Sequence, residues 1–139
     1  MKAIIRISGL VEVARTVEAT LSRMRLRRKY TLVLLPATPM TSLLLKKVRN
    51  FVAYGDIDAD TLAALLEKRA QLIDKKKKVD LAEVAKQLNK KSLQDLGIKP
   101  FFRMHPPRKG IDARLHFGVR KGVLGDNKDK INDLIRRML

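Results

Sequence analysis

The apolar residues in the first half of the chain alternate between the spacing of strands and that of helices. Residues 2–8 (KAIIRIS) are rich in isoleucine and loosely alternating, which predicts a strand that ends in a turn at Gly9. The next apolar residues follow at steps of four, four and three, which predicts an amphipathic helix ending near Leu26. The residues of that apolar stripe are Val13, Val17, Leu21 and Met24.

The pattern then repeats. Residues 30–35 (YTLVLL) form a continuous apolar run, which predicts a second strand. Thr38 and Pro39 predict the start of a second helix, because the threonine hydroxyl can accept a hydrogen bond from a free N–H and proline needs no donor there. Residues 51–54 predict a third strand that ends at Gly55. The buried stripe of the second helix is expected at Met40, Leu43, Leu44 and Val48.

The order β-α-β-α-β predicts an α+β fold with a ferredoxin-like core, in which a three-stranded antiparallel sheet carries both helices on one face. Further helical patterns cover residues 58–70, 80–88 and 128–138. We therefore expect three parts. They are a β-α-β-α-β core at residues 1–56, a helical middle lobe at residues 57–98, and a basic loop with a C-terminal helix that packs back on the core at residues 99–139.

The balance of charge points to a polyanionic partner. Lysine and arginine outnumber the acidic residues by 31 to 14, a formal net charge of +17. A small domain needs a net charge of only about 2–8 for solubility, and a surplus repels itself unless a polyanion binds. Residues 1–56 hold 11 basic and 3 acidic residues, residues 57–98 hold 9 and 7, and residues 99–139 hold 11 and 4. A generally basic proteome would not spare the middle part, so a localised nucleic-acid interface is the favoured interpretation.

Composition and motifs argue against several classes of protein. The chain has no cysteine, which excludes disulfides and thiolate metal sites. It shows neither a signal pattern nor an apolar run of membrane-spanning length, so we expect a soluble intracellular protein without a membrane partner. Its serines lack the glycines of a nucleophile elbow, and its acidic residues form no evident acid–base pair. We therefore expect no enzymatic activity, no cofactor and no small-molecule substrate.

A dense basic cluster lies where the first helix leads into the second strand. Arg25, Arg27, Arg28 and Lys29 supply four cations within five residues. Cations near a helix C-terminus also stabilise the helix dipole, which is the structural alternative. Four charges exceed what capping needs, so contact with phosphates is favoured. The lysine run at residues 75–78, in contrast, is typical of a solvated surface. Three more cations lie near the end of the second helix: Lys46, Lys47 and Arg49.

Two further basic loops lie in the C-terminal part. In residues 101–110 (FFRMHPPRKG) two prolines predict a rigid segment, and Gly110 permits a backbone conformation or close approach that other residues cannot adopt. Residues 116–125 combine three glycines with basic residues but lack the pattern of a nucleotide-binding loop. A basic, glycine-rich loop suits close approach of the backbone to phosphates, and an ordinary flexible connection is the alternative. His105 has only His116 as an imidazole partner and no carboxylate at ligand spacing, so we expect no metal site.

Several short motifs occur once each along the chain, in a specific order. They are the isoleucine-rich first strand, RLRRKYTLVLLP at residues 25–36, Thr38-Pro39, Tyr54-Gly55, Lys68-Arg69, FRMHPPRKG at residues 102–110, HF at residues 116–117 with the glycines after it, and INDLIRRML at residues 131–139. Together they resemble the universal large-subunit ribosomal protein family that is numbered thirty in bacteria and seven in eukaryotes. The chain begins directly at the first strand, as in the long archaeal type.

The resemblance implies a structural constituent of the large ribosomal subunit. Its partners would be large-subunit rRNA, on the side of the subunit that carries the 5S RNA, and neighbouring ribosomal proteins. It would be cytoplasmic and ribosome-bound, without a cofactor. The resemblance and the basic patches together predict these RNA contacts: Arg25, Arg27, Arg28, Lys29, Lys46, Lys47, Arg49, Arg103, His105, Arg108, Lys109, Gly110, Arg114, Arg120 and Lys121.

Two departures from the family pattern concern local structure. The family commonly has a basic residue and then glycine after Thr-Pro-x-x, where this chain has Ser42 and Leu43. Ala70 stands where a glycine usually follows Lys-Arg. Two other functions stay open from the sequence: an assembly or RNA-processing factor that binds precursor rRNA transiently, and an enzyme on a ferredoxin-like scaffold, since such folds host varied chemistry.

Overall fold

The three central strands are those that the hydrophobic pattern predicts. The computed structural model describes residues 1–74, 81–88 and 91–139. β1 (Lys2–Arg6) lies in the middle and pairs antiparallel with both β2 (Thr31–Leu35) and β3 (Val52–Asp56). The α+β class and the antiparallel core are therefore confirmed. The lysine run at residues 75–78, and residue 80 at the expected start of a helix, lie outside the described residues.

Three more strands extend this sheet on both sides. β4 (Phe102–Arg103) pairs antiparallel with β2, and β6 (Gly122–Asp126) pairs parallel with β3. β5 (Asp112–His116) follows at the far edge beside β6, with an irregular register. The strand order is β4-β2-β1-β3-β6-β5. The C-terminal segment, predicted as loop and helix, thus also supplies sheet strands. None of them shows an alternating pattern, because β4 has only two residues, β5 is irregular and four successive residues of β6 are buried.

Helices cover both faces of the sheet. The core helices α1 (Arg15–Arg23) and α2 (Pro39–Val48) share one face, as predicted. The other face carries side chains from the helices of the later chain. Those helices are α3 (Ala59–Arg69), α4 (Leu81–Gln87) and α5 (Ile131–Met138), the last preceded by a short 3₁₀ turn (Lys128–Lys130). Within the described residues, none of the helices has the length and apolarity to cross a bilayer.

Alternation along the strands divides the core into two layers. In β1 the side chain of Ile4 packs with Leu21 of α1 and Leu45 of α2. Its neighbours Ala3 and Ile5 point to the opposite face, in the cluster that includes α3 and α5. The central strands are thus buried on both sides, which is the physical reason for the continuous apolar run of β2.

The predicted buried stripe of α2 is wrong at two positions. Met40 is 67% exposed and Leu43 is 58% exposed, whereas Thr41, Leu45 and Val48 are buried. The predicted cap at the start of the helix is confirmed, because the Oγ1 atom of Thr38 accepts a hydrogen bond from the Thr41 N–H at 3.2 Å. With Thr41 inside, the helix buries Leu45 and Val48 at steps of four and three, and the face carrying Met40 and Leu43 turns outward.

Candidate nucleic-acid interface

Every residue that the sequence predicts as an RNA contact is exposed in the structure. A basic side chain that binds phosphates has to be reachable from solvent, so this condition is met. The residues do not form one surface. They lie in the α1–β2 loop with β4, in the loop before β5, on β5 and in the loop after it, and at the end of α2.

The densest group forms what we call the arginine groove, lined by Arg23, Arg25, Arg27, Arg28, Phe101 and Arg103. Arg103 comes from β4, which stands directly opposite Thr31 at the start of β2. This pairing brings Arg103 to the α1–β2 loop, although more than seventy residues separate them in the sequence. Thr31 also lines the groove, and the cavity has a volume of about 580 Å³. Four of its side chains come from the predicted cluster and β4, and Arg23 adds another cation.

The α1–β2 loop begins with a helix cap in which an arginine takes the usual place of glycine. The N–H of Arg25 donates to the Ser22 carbonyl at 2.9 Å, and the N–H of Leu26 donates to the Leu21 carbonyl at 2.8 Å. These two bonds define a Schellman motif, whose residue after the cap is commonly glycine because it is left-handed. Arg25 has a φ of 63°, in that left-handed region. In this left-handed conformation Arg25 lines the groove.

A buried arginine anchors the same loop from below. Arg6, at the end of β1, is only 1% exposed. Its guanidinium donates to the carbonyls of Leu26 at 2.8 Å and Arg27 at 3.2 Å, and also to those of Ser8 at 3.0 Å and Gly9 at 2.7 Å. Burial lowers the pKa of Arg6, and the nearby Glu18 carboxylate acts in the opposite direction. Arg6 therefore positions the backbone that carries the exposed cations.

Replacing Arg25 by glycine is expected to stabilise the fold while weakening RNA binding. A residue with a Cβ atom is strained by about 1–2 kcal/mol in the left-handed conformation, and glycine avoids this strain. Glycine in turn loses about 0.5–1 kcal/mol, because the unfolded chain has more entropy with glycine. We expect the free energy of unfolding, measured by urea titration, to be about 0.5–1 kcal/mol higher for Arg25→Gly than for Arg25→Ala. Both variants remove the same charge, so their RNA affinities should fall equally. Equal stabilities for the two variants would contradict the strain, and wild-type affinity would contradict the contact.

The second basic group lies on what we call the proline loop, residues 104–110, which is fixed to the end of α5. The N–H of His105 donates to the Met138 carbonyl, and the N–H of Arg108 donates to the Arg137 carbonyl, each at 3.0 Å. In return the Arg137 side chain donates to the Arg108 and Gly110 carbonyls at 3.5 and 3.4 Å. The loop is thus ordered by backbone hydrogen bonds, with its cations free on the outside.

The tip of the proline loop is a tight turn. The N–H of Gly110 donates to the Pro107 carbonyl at 3.2 Å, and both Lys109 and Gly110 have a φ of 66°. No atom lies within 4 Å of the place where a Cβ of Gly110 would stand. Of the two roles that the sequence allows for Gly110, the structure therefore supports the unusual backbone conformation.

The remaining predicted contacts are dispersed. Arg120, with a φ of 48°, and Lys121 lie in the loop between β5 and β6, where they flank a shallow cavity with Asp112. Arg114 is exposed on β5. The last three cations, which lie at the C-terminal end of α2, are Lys46, Lys47 and Arg49. They do not line the arginine groove.

Sequence reasoning missed several residues that shape these surfaces. Phe101 and Arg23 line the arginine groove, and Arg136 and Arg137 lie beside Arg108 and Lys109 in a shallow cavity. The FFR pattern contained one usable signal: Phe102 is buried, so alternation along a strand places Phe101 and Arg103 together on the opposite face. For Arg136 and Arg137 the helical period says only that they face away from the core. Among the residues that the structure describes, no cluster of histidine and carboxylate side chains suits a metal ion.

Comparison with known proteins supplies the family. No family model matches the chain. The large ribosomal subunit protein uL30 of Archaeoglobus fulgidus is 39% identical over 99% of this chain and 99% of its own length. The uL30 proteins of Nanoarchaeum equitans and Pyrobaculum islandicum are 39% and 38% identical over 99% of this chain, covering 97% and 93% of their own lengths. This chain belongs to the uL30 family.

Membership in the uL30 family, of the archaeal type, confirms the resemblance carried by the ordered motifs. The structure also accounts for one departure from the family pattern. Ala70 follows α3 with a φ of −61° and a ψ of 131°, an extended conformation that alanine adopts without strain. The turn after Lys68 and Arg69 therefore needs no glycine here. At the other departure, Ser42 donates a hydrogen bond to the Thr38 carbonyl at 3.3 Å within α2, and Leu43 is exposed.

Proposed function

We propose that this uL30 chain is a structural, non-catalytic constituent of the large ribosomal subunit that binds large-subunit rRNA. The observation that carries the proposal is that its basic loops are held by hydrogen bonds that involve their backbone, while their cations stay exposed. Arg6 fixes the α1–β2 loop, and the end of α5 fixes the proline loop. A loop that is already ordered loses little entropy on docking, so more of its electrostatic attraction appears as affinity.

The chemistry of the surface suits binding to the RNA backbone. Exposed arginines and lysines neutralise phosphates and release counterions, which gives affinity without reading a base sequence. Folded RNA is recognised chiefly by shape and by single-stranded segments, because its deep major groove is inaccessible to side chains. The arginine groove lies at β4, and the proline loop follows β4 in the chain. Two ordered basic regions in a fixed relation to each other suit binding to folded RNA in a single orientation.

The three parts of the chain take different roles in this proposal. Residues 1–56 and 99–139 carry the RNA contacts, since they hold most of the surplus positive charge. Residues 57–98 serve mainly as support, because the described part of this lobe packs on the sheet face opposite α1 and α2. Family membership supports rRNA and neighbouring ribosomal proteins as partners. We further propose a position on the side of the subunit that carries the 5S RNA. Cross-linking of the intact subunit would test that position: cross-links from the basic loops to 5S RNA or to adjoining rRNA support it, and cross-links only to distant rRNA contradict it.

The basic cluster of the α1–β2 loop is tested by replacing Arg27, Arg28 and Lys29 together with alanine. We expect affinity for protein-free large-subunit rRNA to fall roughly 10- to 100-fold, and the slope of log K against log salt to become shallower by about 2–3, since each phosphate contact contributes about 0.7–0.9. Stability should change by less than about 0.5 kcal/mol, because the three side chains are exposed. Salt titrations by filter binding and urea unfolding measure the two effects.

The matched control removes three exposed cations from the middle lobe: Lys68, Lys86 and Lys91. The control should retain nearly wild-type affinity. Equal losses of affinity in both triple variants would mean that total charge, and not the loop cluster, determines binding. A large loss of stability in the loop variant would mean that the cluster is structural. Sedimentation after a high-salt wash separates a lasting constituent from a transient assembly factor, because only the constituent stays stoichiometric on mature large subunits.

A further inference from the structure

The arginine groove contains a flat stacking surface in addition to its charge. Phe101 and Arg103 project from the same face of the β4 segment, while Phe102 between them is fully buried in the opposite core layer. The guanidinium carbon of Arg103 lies 5.6 Å from the centre of the Phe101 ring. This is within the range of a cation–π contact, which extends to about 6 Å. The ring is half-buried and packs against the core layer of α1 and α2, so it is a fixed base for the guanidinium.

The surroundings of this pair match the parts of a nucleotide. The exposed cations Arg25, Arg27 and Arg28 line the same cavity and suit a phosphate. The planar Arg103 group on its aromatic support suits the face of a base, because unpaired RNA bases stack on aromatic rings and on guanidinium planes. The cavity of about 580 Å³ also falls within the range of small-ligand pockets, about 300–1,000 Å³.

A surface that binds only duplex backbone would need none of these features. Arginine and lysine both bind phosphates without an aromatic ring beneath them, whereas a planar guanidinium held on a ring can also stack on a base. All the cations that line the groove are arginines. We propose that the arginine groove holds one unpaired nucleotide of the rRNA, with its base stacked on Arg103 above Phe101 and its phosphate between Arg25, Arg27 and Arg28. This inference rests on the proposed rRNA-binding function and names the ligand of its densest site.

The test keeps the charge and removes the plane. Arg103→Lys retains one cation at an exposed position but cannot stack in the same way, and Phe101→Leu removes the aromatic support while keeping an apolar side chain. We expect each variant to bind protein-free large-subunit rRNA about 5- to 20-fold more weakly, with an unchanged salt slope, because stacking contributes affinity without releasing counterions. Arg15→Lys, at an exposed arginine of α1 outside the groove, is the matched control and should bind like the wild type.

A second measurement identifies the form of RNA. The wild type should prefer a single-stranded RNA oligonucleotide over a duplex of the same length, and Arg103→Lys should lose part of that preference. If Arg103→Lys and Phe101→Leu both bind rRNA like the wild type, the groove holds backbone phosphates only and the inference is wrong, while the proposed function stands. If the wild type itself fails to bind rRNA, both are wrong. A change in salt slope with Arg103→Lys would also contradict stacking.

Discussion

Replacing Gly55 by alanine is expected to destabilise the protein by about 3 kcal/mol or more, at the upper end of the usual cost of overpacking, which corresponds to a fall in Tm of roughly 10 °C. Gly55 lies in β3, where α5 and the turn before it cross the sheet closely. A Cβ atom at this position would stand 2.2 Å from the Lys128 carbonyl oxygen and 2.9 Å from the Ile131 side chain. The nearest atom belongs to backbone, so it cannot move aside without shifting the start of α5.

The effect of Gly55→Ala should extend to the interface. α5 buries four apolar side chains, and its C-terminal end accepts the hydrogen bonds that fix the proline loop. A displaced α5 would therefore loosen that loop and weaken rRNA binding, although Gly55 is buried and touches no RNA. Thermal unfolding by circular dichroism, together with filter binding, measures both effects.

The matched control for this variant is Gly9→Ala. Gly9 has no atom within 4 Å of its ideal Cβ position, and its backbone is not left-handed. We expect Gly9→Ala to change stability by less than about 0.5 kcal/mol. A Gly55→Ala protein that unfolds at the wild-type temperature would show that the close approach of α5 to β3 is not maintained in solution.

Replacing Arg6 by methionine is the second change with a large expected effect. Methionine is unbranched and apolar, so it replaces the methylene stem of Arg6, but it leaves the place of the guanidinium empty and donates no hydrogen bonds. The carbonyls of Leu26 and Arg27 would lose the donor that lies beneath them, and those of Ser8 and Gly9 would lose theirs. An unsatisfied buried acceptor costs about 1–3 kcal/mol, and water can reach some of these groups, so we expect a loss of about 2–4 kcal/mol in urea unfolding.

Arg6→Met should also weaken rRNA binding, through the mobility of the α1–β2 loop. Arg6 itself is buried, so its loss should leave the salt slope almost unchanged, unlike the loss of Arg27 or Arg28. Arg15→Met is the control, because Arg15 is exposed at the start of α1. A reduced salt slope in Arg6→Met, equal to that of a groove arginine, would mean that Arg6 contacts phosphate directly; unchanged stability would refute its anchoring role.

Arg6 and Arg27 show that a charge count does not reveal the role of an individual cation. Both contribute one charge to the basic excess. Arg6 uses its guanidinium inside the protein, on backbone carbonyls, whereas Arg27 presents its guanidinium to solvent. The difference arises because β1 ends beneath the α1–β2 loop, an arrangement that depends on the pairing of β1 with β2. The interface therefore consists of exposed cations and of buried groups that hold their backbone.

Local patterns were sufficient for the central part of the fold. The apolar strands β1, β2 and β3, and the cap formed by Thr38 and Pro39, depend on neighbouring residues, and they were predicted correctly. The exposed face of α2 was predicted wrongly. Met40 and Leu43 are at least as apolar as Thr41 and Leu45, which are buried in their place, so hydrophobicity alone could not set the rotation of the helix. Packing of Thr41, Leu45 and Val48 on the sheet decides it.

The sequence by itself determined the class of partner and the family. Charge, capping residues and motif order are properties of the chain that persist in any arrangement of its elements. Only the tertiary structure decided that Arg103 joins the α1–β2 loop, that Phe101 supports it, and that Arg6 and α5 anchor the loops. The pairing of β4 with β2 and the packing of α5 on β3 are contacts between residues that are distant in the sequence. Such contacts stabilise the protein only once the chain has folded, so local sequence patterns do not reveal them.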